Sequence, residues 1–313
     1  MNSVARYLQT RGGIIRFPAY VPVTTFGEKY LLDKLIQPYL LRLAQCVMVS
    51  FHFARQMKEP LRLPLMVDSG GFASLFEGAR IVKNGSLGIL RVRQEHGVET
   101  IHPRDVLELQ ERIADVAFTL DFPIPPGTEA KEAQRRQRLT IANAHWALVN
   151  RRRRDLPVFA CVQAWDERSA LACAREYKSA GFDGVAIGGL VPRARDLATV
   201  RSIVEAVRTE IGELPLHVFG LGKPEMTEML FRAGVDSIDS SSYVKLAADG
   251  RLWSNPDYRI SEPTPSDRLH LALCNLATAT GRTLPLSAAS VVFATHSLSF
   301  RADTTAHVST LAL

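Results

Sequence analysis

LPLMVDSGGFAS, residues 63–74, decides how this chain is read. An apolar run short enough for a buried strand ends abruptly in Asp68-Ser69-Gly70-Gly71-Phe72. In isolation, Asp68 and Ser69 read as caps of the next helix and the two glycines as a turn. The rest of the sequence repeats the pattern. Short β-branched runs stand between longer helical patterns: AYVPV (19–23), CVMVS (46–50), VAFTL (116–120), VFACV (158–162), GVAIG (184–188), LHVFG (216–220) and DSI (236–238). Strands alternating with helices predict βα units and a parallel sheet. Eight such runs in 313 residues predict an α/β fold of the (β/α)8 TIM-barrel type.

Barrel active sites are assembled where the strands end. Here those ends carry Thr24-Thr25, His52, Asp68, Asp121, Gln163, Gly188-Gly189, Gly220 and Asp239. Aspartates facing one mouth suit chemistry at an anomeric carbon, where one carboxylate attacks the sugar and a second handles protons. Glycines at strand ends let backbone N–H groups approach a flat ligand closely, and Phe72 offers a ring face on which a base stacks. Each residue also has a plainer reading. Asp239 reads as an N-cap before Ser240-Ser241-Ser242, Gln163 as a loop-stabilising amide, Phe72 and Phe219 as core packing, and His52 as a satisfied core histidine.

With 46% hydrophobic and 22% charged residues, the chain has the composition of a globular protein able to bury one large core or two modest ones. No apolar run is long enough to cross a bilayer, and the opening MNSVARYLQTRGG lacks the apolar core of a secretory signal, so no membrane partner and a cytoplasmic location are expected. Cys46, Cys161, Cys173 and Cys274 show no Cys-x-x-Cys spacing and read as reduced thiols. The net charge of +6 suits a polyanionic partner. The basic stretches KEAQRRQRL (131–139) and NRRRRDLP (150–157) read first as solvated helix faces, the second lying before a strand and therefore away from the mouth.

VDSGGF, LDFPIPP, VQAWD, GFDGVAIGGL, HVFGLGKP and GVDSIDSSSY occur in the order found in tRNA-guanine transglycosylases, which this chain resembles over residues 16–253. LDFPIPP, HVFGLGKP and IDSSSY are most similar to the archaeal branch, which takes up 7-cyano-7-deazaguanine, and to the related enzymes that place that base in DNA. The resemblance implies a retaining base exchange that needs no cofactor. Asp239 is then the nucleophile that displaces guanine and forms a covalent glycosyl-enzyme, and Asp68 the general acid/base. Asp121 reads the guanine-like edge of the base, while Gln163 and the N–H of Gly189 hold its carbonyl side. Phe72 stacks on it, Phe219 takes the place of the second wall, and Gly71, Gly188 and Gly220 complete the slot.

The sequence also departs from the family. The tRNA enzymes carry Cys-x-Cys-x-x-Cys and a distant His for zinc after the eighth strand, whereas this chain has only Cys274 there, so no metal is expected. Ser-Ser-Ser-Tyr-Val-Lys stands where the bacterial enzymes have Leu-Pro-Thr-Arg, and no RNA-binding domain of the archaeal type is expected in what remains. From these departures the expected acceptor is DNA, with tRNA as the alternative and a non-catalytic partner subunit as a further one. A helper protein and a homodimer both stay open. A flipped nucleotide needs cations near the mouth, and Lys245 and Arg251, just beyond Asp239, are the candidates. The expected division is a catalytic barrel over residues 1–263, with residues 264–313 forming a C-terminal helix and a low-charge tail, packed on the barrel or partly disordered.

Overall fold

A computed structural model describes residues 6–26, 30–57, 62–94, 97–282 and 284. Its strands are β1 (Tyr7–Thr10), β2 (Gly13–Arg16), β3 (Ala19–Pro22), β4 (Val47–Ser50), β5 (Leu65–Asp68), β6 (Arg80–Asn84), β7 (Leu87–Gln94), β8 (Gly97–Ile101), β9 (Val116–Phe118), β10 (Val158–Val162), β11 (Gly184–Ile187), β12 (Leu216–Val218) and β13 (Ser237–Ser240). The helices are α1 (Leu31–Leu43), α2 (Phe51–Ala54), α3 (Pro103–Ile113), α4 (Ala130–Asn150), α5 (Glu167–Ala180), α6 (Leu197–Ile211), α7 (Pro224–Arg232), α8 (Ser242–Ala248) and α9 (Pro265–Ala279).

Eight strands form one parallel sheet in the order β3-β13-β12-β11-β10-β9-β5-β4. The two ends meet through the Val23–Met48 bridge and the bond from the Thr24 N–H to the Met48 carbonyl, 3.0 Å, so the sheet curls into a nearly closed barrel. These are the eight runs that the sequence predicts. Alternation along each strand divides the side chains into two sets. Val21, Met48, Met66, Phe118, Phe159, Cys161 and Ala186 fill the interior, while Tyr20, Val49, Val67, Val162, Ile187, Val218 and Ile238 pack outward with the helices. Continuing the same alternation places Asp68, Gln163, His217 and Asp239 on the inner face.

Two antiparallel pieces lie outside the predicted set. The β1–β2 hairpin brings Ile15 and Leu8 into the interior cluster, and its Gly12 N–H donates to Asp115, 2.9 Å, just ahead of β9. A three-stranded sheet, β6-β7-β8, is inserted between β5 and α3. Asn143 of α4 fastens it, exchanging two bonds with the backbone of Gly88 while its Nδ2 also donates to Leu120 O, 3.1 Å. The last helix, α9, is an integral part of the helical layer. It packs on α8 and α1, and its Asn275 bonds the backbone of Tyr243, Arg251 and Trp253. The expected tail lies, apart from Arg282 and Leu284, outside the described residues.

At the N-terminal end of the barrel three aspartates repeat one device. Asp115, Asp183 and Asp236 precede β9, β11 and β13, and each accepts the first N–H of the neighbouring strand: Leu65, 2.9 Å; Val158, 2.9 Å; and Leu216, 2.8 Å. Each also meets an arginine: Arg11 for Asp115, Arg151 for Asp183, and both Arg6 and Arg208 for Asp236. Arg151 and Arg153 are therefore not a solvated helix face. Arg153 donates to the carbonyls of Glu111 and Ala114 on this floor, away from the mouth. Among the described residues no helix is long and apolar enough to cross a membrane.

Candidate active site

The mouth of the barrel begins with the turn after β5. Asp68 closes the strand, and its carboxylate accepts the N–H groups of Ser69, 2.7 Å, and Gly70, 3.3 Å. Gly70 has φ +78°, which a side chain would strain, and this reverses the chain. A Cβ on Gly71 would fall 2.1 Å from the Asp121 carbonyl, so only glycine lets the two strand ends touch. The turn continues as a single 3-10 turn, Gly71–Leu75, which carries the half-buried Phe72 with its ring edge-on to Phe76, centroids 6.0 Å apart.

Ser69 is wholly buried, and its hydroxyl donates to Asp121 Oδ1, 2.9 Å. Gln163 Nε2 donates to the other oxygen, Oδ2, 2.5 Å. Gln163 Oε1 is buried and has no hydrogen-bond partner among the described residues, which leaves a polar atom waiting inside the slot. Gly188 and Gly189 make room for this amide: a Cβ on either would lie 2.1 Å from Nε2 or 2.5 Å from Oε1. Arg193 secures the loop, donating to the carbonyls of Ile124, 2.6 Å, and Gly189, 2.9 Å. Asp121, Gln163, Gly71, Gly188 and Gly189 thus form one connected slot.

Asp239 is the centre of a second set. Its Oδ1 accepts from the Gly220 N–H, 3.1 Å, and lies 3.0 Å from His217 Nε2. Phe219, half-buried, packs edge-on against Phe118 and His217, each at 4.9 Å. Asp68 joins the two sets electrostatically. Burial, followed by the charges of Asp121 and Asp239, pushes its carboxyl up to about 7, against the opposing pull of the Gly70 and Ser69 N–H groups. Burial also raises Asp121, with Gln163 and Ser69 drawing it back.

The other expected residues lie further out. Lys245 is on α8 and exposed, with partial desolvation and the Lys223 charge holding its ammonium below the usual lysine range, and Arg251 is exposed just beyond that helix. His52 is not a core histidine: it stands on the short α2 with its side chain 44% exposed, Nδ1 3.6 Å from Glu99, because β4 ends before it and α2 turns it outward. Thr24 and Thr25 bond Asp33 of α1 and anchor that loop. In the sequence Ser69 reads only as a helix cap, and His217 is not singled out. The signal for His217 was present, since a polar residue on the inward phase of an apolar strand shares a face with the next strand's Asp. Among the described residues no group of three or more His, Cys, Asp or Glu could hold a metal ion.

Comparison with known proteins places this arrangement. The family model described as queuine tRNA-ribosyltransferase matches residues 5–280. The chain is 26% identical over 255 residues to the tRNA-guanine(15) transglycosylase of Methanococcus aeolicus, an alignment covering 78% of this chain and 37% of that protein. It is 29% identical over 184 residues to the protein of the same name from Thermococcus onnurineus, covering 56% and 30%. With the queuine tRNA-ribosyltransferase of Thermosipho africanus it shares 28% identity over 261 residues, 76% of this chain and 69% of that protein. The chain thus spans about a third of the length of the archaeal relatives it matches. A match running from before β1 to the end of α9 takes in the whole barrel and both connected sets, and by it the chain belongs to the queuine tRNA-ribosyltransferase family.

Proposed function

We propose that this protein is a guanine transglycosylase that replaces a guanine base in tRNA with a 7-deazaguanine base, through a glycosyl ester on Asp239. The observation that carries the reading is the trio of carboxyls at one mouth: Asp68, poised near 7, within electrostatic reach of both Asp121 and Asp239. An ionised Asp239 attacks C1′ of the ribose from the face opposite the base. The glycosidic bond breaks, its electron pair leaves with guanine, and protonated Asp68 supplies the proton that the departing base needs. The incoming base then gives its N9 proton to Asp68, its nitrogen attacks C1′, and the ester to Asp239 breaks. Two inversions retain the configuration, and no external energy source enters.

Asp121 and Gln163 supply base selectivity in this scheme. Each Asp121 oxygen already holds one donor, Ser69 or Gln163, and has a second lone pair for the N1–H and amine of a guanine-like edge. The archaeal-like motifs favour 7-cyano-7-deazaguanine as the incoming base, with Phe72 and Phe219 as its walls and Lys245 and Arg251 near the flanking phosphates.

The comparisons favour tRNA as the acceptor, because the relatives named above are tRNA enzymes. The DNA acceptor expected from the missing zinc ligands and Leu-Pro-Thr-Arg segment finds no counterpart among them. Labelled guanine offered with tRNA or with duplex DNA tests both points. Label in tRNA supports the proposal, label in DNA alone restores the DNA acceptor, and label in neither overturns base exchange.

A further inference from the structure

We infer that His217 is a positioning residue that selects which oxygen of Asp239 attacks the sugar, an inference that rests on the base-exchange reading above. His217 is wholly buried in β12, and the chemistry just described does not use it. Its imidazole spans two residues of the neighbouring strand. The register sets His217 opposite Ser237, and alternation brings Asp239 onto the same face. Nδ1 lies 2.8 Å from Ser237 Oγ and Nε2 3.0 Å from Asp239 Oδ1. The rings of Phe118, 5.0 Å away, and Phe219, 4.9 Å away, fix its plane.

An ionised carboxylate only accepts, so the imidazole proton belongs on Nε2, and Nδ1 is left to accept the Ser237 hydroxyl. The Gly220 N–H makes a second bond to Oδ1, 3.1 Å. Oδ2 makes no hydrogen bond among the described residues and is the oxygen left to form the ester. Held this way, Oδ1 becomes the ester's carbonyl oxygen. Its two donors stabilise the carboxylate more than the neutral ester, because hydrogen bonds to a charged acceptor are the stronger ones. His217 therefore orients the attack and also improves Asp239 as a leaving group in the second half of the exchange.

The test compares His217→Leu, which removes the donor, with His217→Gln, whose Nε2–H reaches the same place. For His217→Leu the expected result is a fall in kcat of about tenfold to a hundredfold with KM for the base nearly unchanged, and a larger fraction of enzyme trapped as ester when no free base is present. His217→Gln should recover to within about fivefold of the parent. Should His217→Leu fail to fold, His217→Asn, whose amide stops short of Oδ1, replaces it. Nitrogen-15 NMR of histidine-labelled protein reads the hydrogen bond without turnover, with the His217 signal assigned by its loss in His217→Gln. A proton on Nε2 supports the inference, and a ring whose Nε2 carries none overturns it. An active parent with an equally active His217→Leu overturns the positioning role alone. An inactive parent overturns the exchange reading, and the catalytic use of the contact with it.

Discussion

Asp236, just before β13, and Asp239, near its far end, have surroundings that differ in kind. Asp236, on the floor, meets Arg6 at 2.7 Å, Arg208 at 3.0 Å and the Leu216 N–H at 2.8 Å; burial still holds its carboxyl above the ordinary range. Asp239, at the mouth, meets no arginine or lysine among the described residues, only a backbone N–H and an imidazole, and one of its oxygens makes no hydrogen bond there. The contrast extends around the barrel. Asp115 and Asp183 on the floor are paired with arginines and strand N–H groups, whereas Asp68 and Asp121 at the mouth are crowded by each other and satisfied by Ser69, Gly70 and Gln163. A carboxylate bound to arginine and backbone is a structural fastener. One held without an arginine, with a lone pair free, is available for chemistry.

Substitutions at the two ends should therefore separate activity from stability. Asp239→Asn should lower base exchange by about a thousandfold or more while leaving the far-ultraviolet circular dichroism unchanged, because an amide of the same shape cannot form the ester. Asp68→Asn should cost about a hundredfold to ten-thousandfold in rate through loss of proton transfer. The same change should stabilise the protein. The folded carboxyl titrates near 7 and the ordinary one at 3.8, so wild-type stability falls as pH rises through that window. The gain from Asp68→Asn should accordingly be larger at pH 8 than at pH 4, by about 2–4 kcal/mol in denaturant titrations.

Asp121→Asn should weaken binding of guanine-like bases by about tenfold to a hundredfold and change their ranking, since one acceptor becomes a donor beside Gln163; competition among bases for exchange reads this out. Asp236→Asn should do the reverse of the mouth substitutions. Exchange per folded molecule should stay within about twofold, while the unfolding free energy drops by about 1–3 kcal/mol as the charge that pairs with Arg6 and Arg208 is lost and one of the two acceptor oxygens becomes a donor. A floor variant that abolished exchange without loss of stability would break the distinction between the two ends.

Much of the barrel was legible because its strands are buried on both faces and read as continuous apolar runs, most of them ended by an acid, amide or glycine. The β6–β8 insertion was not, although Asn84-Gly85 is a hairpin signal, because its alternation of basic and apolar residues resembles a solvated connection between two barrel strands. Asp68, Asp121, Gln163 and Asp239 could be picked out because polar residues after apolar runs attract attention. Ser69 and His217 escaped, Ser69 because it passes for a cap, His217 because it sits within an apolar run. The floor aspartates were also invisible as a set, since their arginine partners come from distant parts of the chain.

The most direct test uses the fact that both ends of β13 fall in one tryptic peptide, residues 233–245. The protein is incubated with the proposed acceptor, tRNA, without free base, quenched in acid, digested with nuclease and trypsin, and this peptide is fragmented in the mass spectrometer. A ribosyl adduct on Asp239, absent when tRNA is omitted, is the predicted result. An adduct on Asp236, or exchange proceeding with Asp239 unmodified at every time point, would contradict the assignment of the mouth carboxylate as nucleophile.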